Sequence, residues 1–283
     1  MTSLATVRPS AEVAIGEPRP RFRDLLAAEW IKLWSLRSTP WSLLLTELVV
    51  LAFNVGTAYD HYRYWPTFDP EHQALFVADR MALWDAFNGN AALVVMLAFA
   101  AFGSMTVVGE YSSGMIRTTF AAVPARRAVM AAKVVVVATV TTAVGAIVAA
   151  SSFAATQGIL SARGAGFPIT EPGALRLVVA SALLAPVSAL VGMAIGAVLR
   201  RSGATIVTSV VVLLLVPAVI TEQRYWSAVV SHTLPYGAWE RLVQAGPYEV
   251  PFPWSPGGAW CVYGAWALVA AVVTVTAVHR RDQ

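Results

Sequence analysis

Glu47 and Asn54 stand seven residues apart in a run of leucines, valines and alanines, and on a helix they share nearly one face. A carboxylate in such surroundings can carry a proton or line a polar path, and it can equally hydrogen-bond a neighbouring helix. A second polar island interrupts VVGEYSSGMIRTTFAAVPARRAVMAAKVVVVATV, residues 107–140, where Glu110, Gly114, Arg117, Pro124, Arg127 and Lys133 break an otherwise apolar stretch. Further on, Ser188, Gly192 and Gly196 recur every four residues in SALVGMAIG, a small-residue stripe suited to close helix approach rather than to chemistry. Catalytic patterns are not found. YDHYRYWPTFDPEH holds His61 and His72 but neither H-x-x-x-H nor HExxH, so no metal ligands are assigned and the segment reads as a solvated loop. The chain has no G-x-x-x-x-G-K-[ST] phosphate loop and no Gly-Lys dipeptide, which excludes nucleotide binding by that device.

The elements that must position these residues are written for lipid. Of 283 residues, 57% are hydrophobic and only 13% charged, with a mean hydropathy of +0.63. The lone Cys261 excludes an intramolecular disulfide framework. Apolar runs long enough to cross a hydrocarbon core of about 30 Å fall at 41–59, 91–108, 128–155, 174–199, 204–220 and 259–278. Runs of that length are helices, because a helix satisfies its own backbone in lipid and barrel strands are far shorter. The fold class is therefore an all-α integral membrane protein with six transmembrane helices at 41–278. Residues 1–20, with prolines at 9, 18 and 20, read as a disordered tail, 21–40 as an interfacial helix, and 279–283 as a second tail.

Orientation follows from the basic residues. Arg8, Arg19, Arg21, Arg23, Lys32 and Arg37 precede the first span, and Arg117, Arg126, Arg127 and Lys133 lie in the second connection. Arg200 and Arg201 lie in the fourth connection, and Arg280 and Arg281 follow the sixth span. The alternate connections are longer, poorer in Lys and Arg, and carry Asp60, Asp69, Glu71, Asp79 and Asp85. The positive-inside bias puts both termini and the 107–140 break in the cytoplasm.

Within that break, Ser112, Ser113 and Gly114 permit a tight turn, and 115–123 can form a short helix stopped at Pro124. Upstream, Phe22, Leu25, Leu26, Trp30, Leu33 and Trp34 recur at three- and four-residue intervals, leaving Arg23, Asp24, Lys32 and Ser35 on other faces. Such a helix lies in the interface, and Pro40 turns the chain from the membrane plane into the first span.

These residues resemble the permease subunits of bacterial type 2 ABC transporters. The likeness rests on Glu110, Gly114, Pro124, Arg127 and Lys133, on the wording EYSSG, and on AAEWIKLWSLRSTPW at 27–41. Met115 departs from the Thr that commonly follows the glycine. The resemblance implies a coupling helix between spans 2 and 3 that docks, through Glu110, Gly114, Met115, Arg117, Pro124, Arg127 and Lys133, onto a separate ATPase subunit holding ATP and magnesium. It implies pairing with a second permease copy or a homologous permease, location in a bacterial plasma membrane, and work as an exporter without catalysis or cofactor in this chain. Membrane lipids are partners and nucleic acid is not. The alternative from the residues alone is an ion-coupled secondary transporter using Glu47.

Overall fold

The computed structural model describes residues 20–220, 223–246 and 250–277; the tails expected at 1–20 and 279–283 lie, Pro20 apart, outside them. The described residues are helical with no strand, as the twenty-residue apolar runs require. Six helical stretches are long and apolar enough to cross a membrane: Ser38–Thr67, Met81–Ser112, Arg126–Ser161, Ala174–Leu199, Ser202–Val219 and Pro256–Ala277.

Helix α1 (Phe22–Ser35) ends where Leu36 becomes extended, and α2 (Ser38–Tyr64) starts at once. The bend thus falls before Pro40, which sits in the first turn of α2, and the Thr39 hydroxyl locks it by donating to the Leu33 carbonyl at 2.9 Å. Short helices α3 (Pro70–Ala78) and α4 (Met81–Asp85) lead to α5 (Gly89–Ser112), α6 (Met115–Ala122) and α7 (Arg126–Ser161). α8 (Ala174–Leu199) turns through Arg200, in the left-handed region at φ 55°, into α9 (Ser202–Val210). A π-helical turn, Val211–Leu215, joins α9 to α10 (Val216–Val219). Pro217 accounts for that turn, since its ring displaces the carbonyl four residues back and a wider turn accommodates it. α11 (Tyr225–Thr233), α12 (Pro235–Val243) and α13 (Pro256–Ala277) complete the chain.

The core lies where α5, α7 and α8 meet, around Phe99, Met96, Met130, Leu184 and Met193. Their approach depends on glycine. A Cβ at Gly192 would lie 2.0 Å from the Ala100 carbonyl oxygen, and one at Gly103 the same distance from that of Ala189. The backbones of α5 and α8 therefore touch, with Ser188, Gly192 and Gly196 all buried along α8. In lipid such contact substitutes dispersion for the hydrophobic effect, which cannot drive apolar helices together there.

The segment read as a solvated loop is folded, a correction to the sequence reading. α2 runs on to Tyr64, Phe76 is buried, and His61 Nδ1 lies 2.7 Å from Asp85 Oδ2. Falling hydropathy marks where apolar solvent ends, not where backbone hydrogen bonding stops. At this end of the bundle α12 also buries Trp239, whose indole donates to Ser181 at 3.1 Å.

Candidate functional site

At the opposite end, where α5 finishes and α7 begins, four charges close on one another. Glu110 comes from the last turns of α5, Lys133 from the early turns of α7, and Glu29 and Lys32 from α1. The Lys133 ammonium donates to Glu29 Oε2 at 2.5 Å and to Glu110 Oε1 at 2.8 Å. The Lys32 ammonium lies 2.7 Å from Glu29 Oε1 and 3.2 Å from Glu110 Oε1. Lys133 and Glu110 are each 4% exposed and Glu29 is 5% exposed, so three of the four charges are out of water. Removing an ion from water costs several kcal/mol, and only mutual pairing makes the burial tolerable. Burial would by itself lower the pKa of Lys32, but the hydrogen bonds and charges of Glu29 and Glu110 outweigh it and hold the ammonium above its ordinary 10.5.

Two members of this cluster, Glu110 and Lys133, stand out in the sequence as polar residues in the break. Glu29 does not. Of the apolar stripe on α1, Leu25 and Leu33 turn to the bundle with Glu29 between them, while Phe22, Trp30 and Trp34 are exposed. The signal was available, because an acid set four residues from a leucine on each side occupies the middle of a helix face.

Gly114 adopts φ 73° and starts α6, an eight-residue helix that buries only Ile116 and leaves Met115 and Arg117 exposed. Val123 is extended ahead of Pro124, as a residue before proline tends to be, and Pro124 and Arg127 are exposed. The connection is thus a short helix hung between two long ones, which the Glu110–Lys133 pair ties to each other. Beside it lies a cleft of about 510 Å³ lined by Arg117, Arg126 and Arg200 together with Tyr111 and Phe120. Arg126 stacks over Phe120 at 5.3 Å and Arg200 over Tyr111 at 4.8 Å, which holds basic groups around α6.

A second cavity, about 420 Å³, lies on the other side of α5's end. Its walls are Leu33 of α1, Leu36 just beyond that helix, Met105 and Gly109 of α5, and Val136 of α7, together with the charged cluster. Among the described residues, no donor reaches Glu110 Oε2, although that atom is buried.

Glu47 and Asn54 both meet α7, at adjacent residues. Ser151 donates to Glu47 Oε1 at 2.9 Å, and Asn54 donates to Ser152 Oγ at 2.8 Å while accepting from the Asn88 amide at 3.2 Å. Asn54 is 1% exposed and faces a void of about 20 Å³, room for about one water. It joins α2, α7 and the start of α5. No group of three His, Cys, Asp or Glu residues suited to a metal occurs among the described residues. Comparison of the chain with protein-family models gives no match, and comparison with curated proteins gives none either.

Proposed function

We propose that this chain is the membrane-spanning, non-catalytic permease subunit of an ATP-driven ABC transporter, an exporter, and that α6 is where a separate ATPase subunit drives it. The observation that carries the reading is the suspension of α6. A helix fixed by Gly114 at one end and Pro124 at the other, with α5 and α7 bound together by Glu110 and Lys133, passes any displacement to two membrane-length helices at once. The same reading places both termini and α6 in the cytoplasm of a bacterial plasma membrane, α1 in the interface with Trp30 and Trp34 toward lipid, and a second permease alongside. The basic cleft under α6 suits an acidic surface on the partner. ATP and magnesium belong to that partner.

The test is affinity co-purification of the ATPase with wild type, Gly114→Val and Arg117→Glu, together with substrate-stimulated ATP hydrolysis. A Cβ at Gly114 meets nothing within 4 Å, so valine there acts through strain at positive φ and not through crowding. Arg117→Glu reverses an exposed charge on α6. Both variants should insert normally, lose ATPase association and lose stimulation. Equal co-purification with full stimulation in both would reduce the segment to an ordinary basic loop.

A further inference from the structure

We infer that the 420 Å³ cavity beside the charged cluster is a binding site for the headgroup of a bilayer phospholipid bearing a primary ammonium and a phosphate, the ethanolamine type. The inference rests on the reading of these helices as membrane-spanning, and it needs no ATPase partner. Three features of the cavity select that chemistry. Its volume lies within the range of about 300–1,000 Å³ that holds small ligands, enough for a headgroup and the first part of its chains. It is two-ended, with Lys32, Glu110 and Ser113 at one side and Leu33, Leu36, Met105, Val136 and Val137 along the other. Met105 is 68% exposed, so the apolar end opens outward, where acyl chains can stay in the bilayer.

The charges then choose among headgroups. The cluster already balances two lysines against two glutamates, so a net anion would meet buried carboxylates and a net cation would meet buried ammoniums. A zwitterion leaves the balance unchanged. Lys32 is half-buried and its ammonium uses two of its three donors on Glu29 and Glu110, leaving one for a phosphate oxygen. Glu110 lines the cavity and its Oε2 has no donor among the described residues. Oε2 is covered in this structure, so the carboxylate turns to meet the ligand; a primary ammonium then supplies the donor, whereas the quaternary ammonium of a choline headgroup has no N–H to give.

The experiment uses the full chain, purified alone in detergent and stripped of lipid, with binding read by native mass spectrometry. Phosphatidylethanolamine, phosphatidylcholine and phosphatidylglycerol with identical chains are titrated separately. The ethanolamine lipid should bind about tenfold tighter than either of the others, the size of effect one charge-assisted hydrogen bond produces. Equal binding of the three, or preference for phosphatidylglycerol, overturns the assignment without reference to any mutant. Gly109→Phe then fills the cavity from its wall, where a Cβ meets nothing within 4 Å, and leaves the charges in place. It should abolish the ethanolamine preference, and retention of that preference would put the site elsewhere. Glycerophosphoethanolamine, the headgroup without chains, should compete only weakly; competition as strong as the lipid's would show that the apolar end contributes nothing and would sink the lipid assignment. Because no ATPase is present, failure here leaves the α6 proposal standing, and failure of ATPase docking leaves this result untouched.

Discussion

Two of the polar nodes buried among the described residues, one around Asn54 and one around Lys133, are built on different terms. The node around Asn54 is neutral: its amide and carbonyl oxygen are both used, on Ser152 and the Asn88 amide, and the space beside it is about 20 Å³. The node around Lys133 is ionic, keeps one carboxylate oxygen without a donor among the described residues, and borders about 420 Å³. Matched neutral hydrogen bonds fix the register of α2, α5 and α7, and the space beside them admits no more than about one water. Charges with a spare acceptor and room beside them make a joint, which holds α1, α5 and α7 together yet has somewhere to go.

The largest effect that would break this contrast is at Lys133. Lys133→Met leaves Glu29 and Glu110 buried with only half-buried Lys32 between them, and should cost about 3–5 kcal/mol, the range for stripping one partner from a buried ion group. Folded yield and melting temperature of the detergent-solubilised chain measure it; a loss no greater than that of a surface substitution would mean the cluster is hydrated. Asn54→Leu should cost less, about 1–3 kcal/mol, because it orphans neutral groups only. If the two losses come out in the reverse order, the neutral node is the joint.

How much of this was legible before the fold was known differs between the same two nodes. The membrane-length runs are a property of composition, because lipid admits no backbone that does not satisfy itself, so six helices follow from six runs. Helix ends did not follow. The structure carries α2 on to Tyr64 and α7 to Ser161 through polar residues whose backbone bonds continue regardless of hydropathy. Glu110 and Lys133 were visible as polar interruptions, and Asn54 as an amide in an apolar run. Their partners were not, because Glu29, Ser152 and Asn88 lie far away in sequence and pairing across helices is a property of packing. The apolar residues of α1 did not by themselves say which of them face the bundle: Leu25 and Leu33 are buried while Trp30 and Trp34 are exposed, because beside lipid large apolar side chains point outward as readily as inward.

The smallest expected effect sharpens the contrast by pH. Lys32→Met removes the more exposed lysine and should change stability by less than about 1 kcal/mol near neutrality. The pKa of Lys32 is raised above 10.5 in the fold, so its contribution is complete below that value and is lost as pH climbs through the folded pKa. Wild type should therefore lose stability more steeply than Lys32→Met in melting experiments above about pH 10.5. Parallel curves would assign the alkaline loss to other groups.

One helix serves both nodes and reaches beyond them. α7 runs unbroken for 36 residues, and between Lys133 and Gln157 it spans about 36 Å at the rise of an α-helix. Gln157 anchors its far portion, donating to the Ala82 carbonyl at 2.7 Å and accepting from the Phe167 amide at 2.9 Å. A rod held at two points that far apart behaves as a lever, and tilting it by about 5° about one point carries the other through about 3 Å, as far as a hydrogen bond is long. Small rotations seated at Lys133 thus arrive at Gln157 as displacements that the segments holding Ala82 and Phe167 each either follow or answer with a parted hydrogen bond.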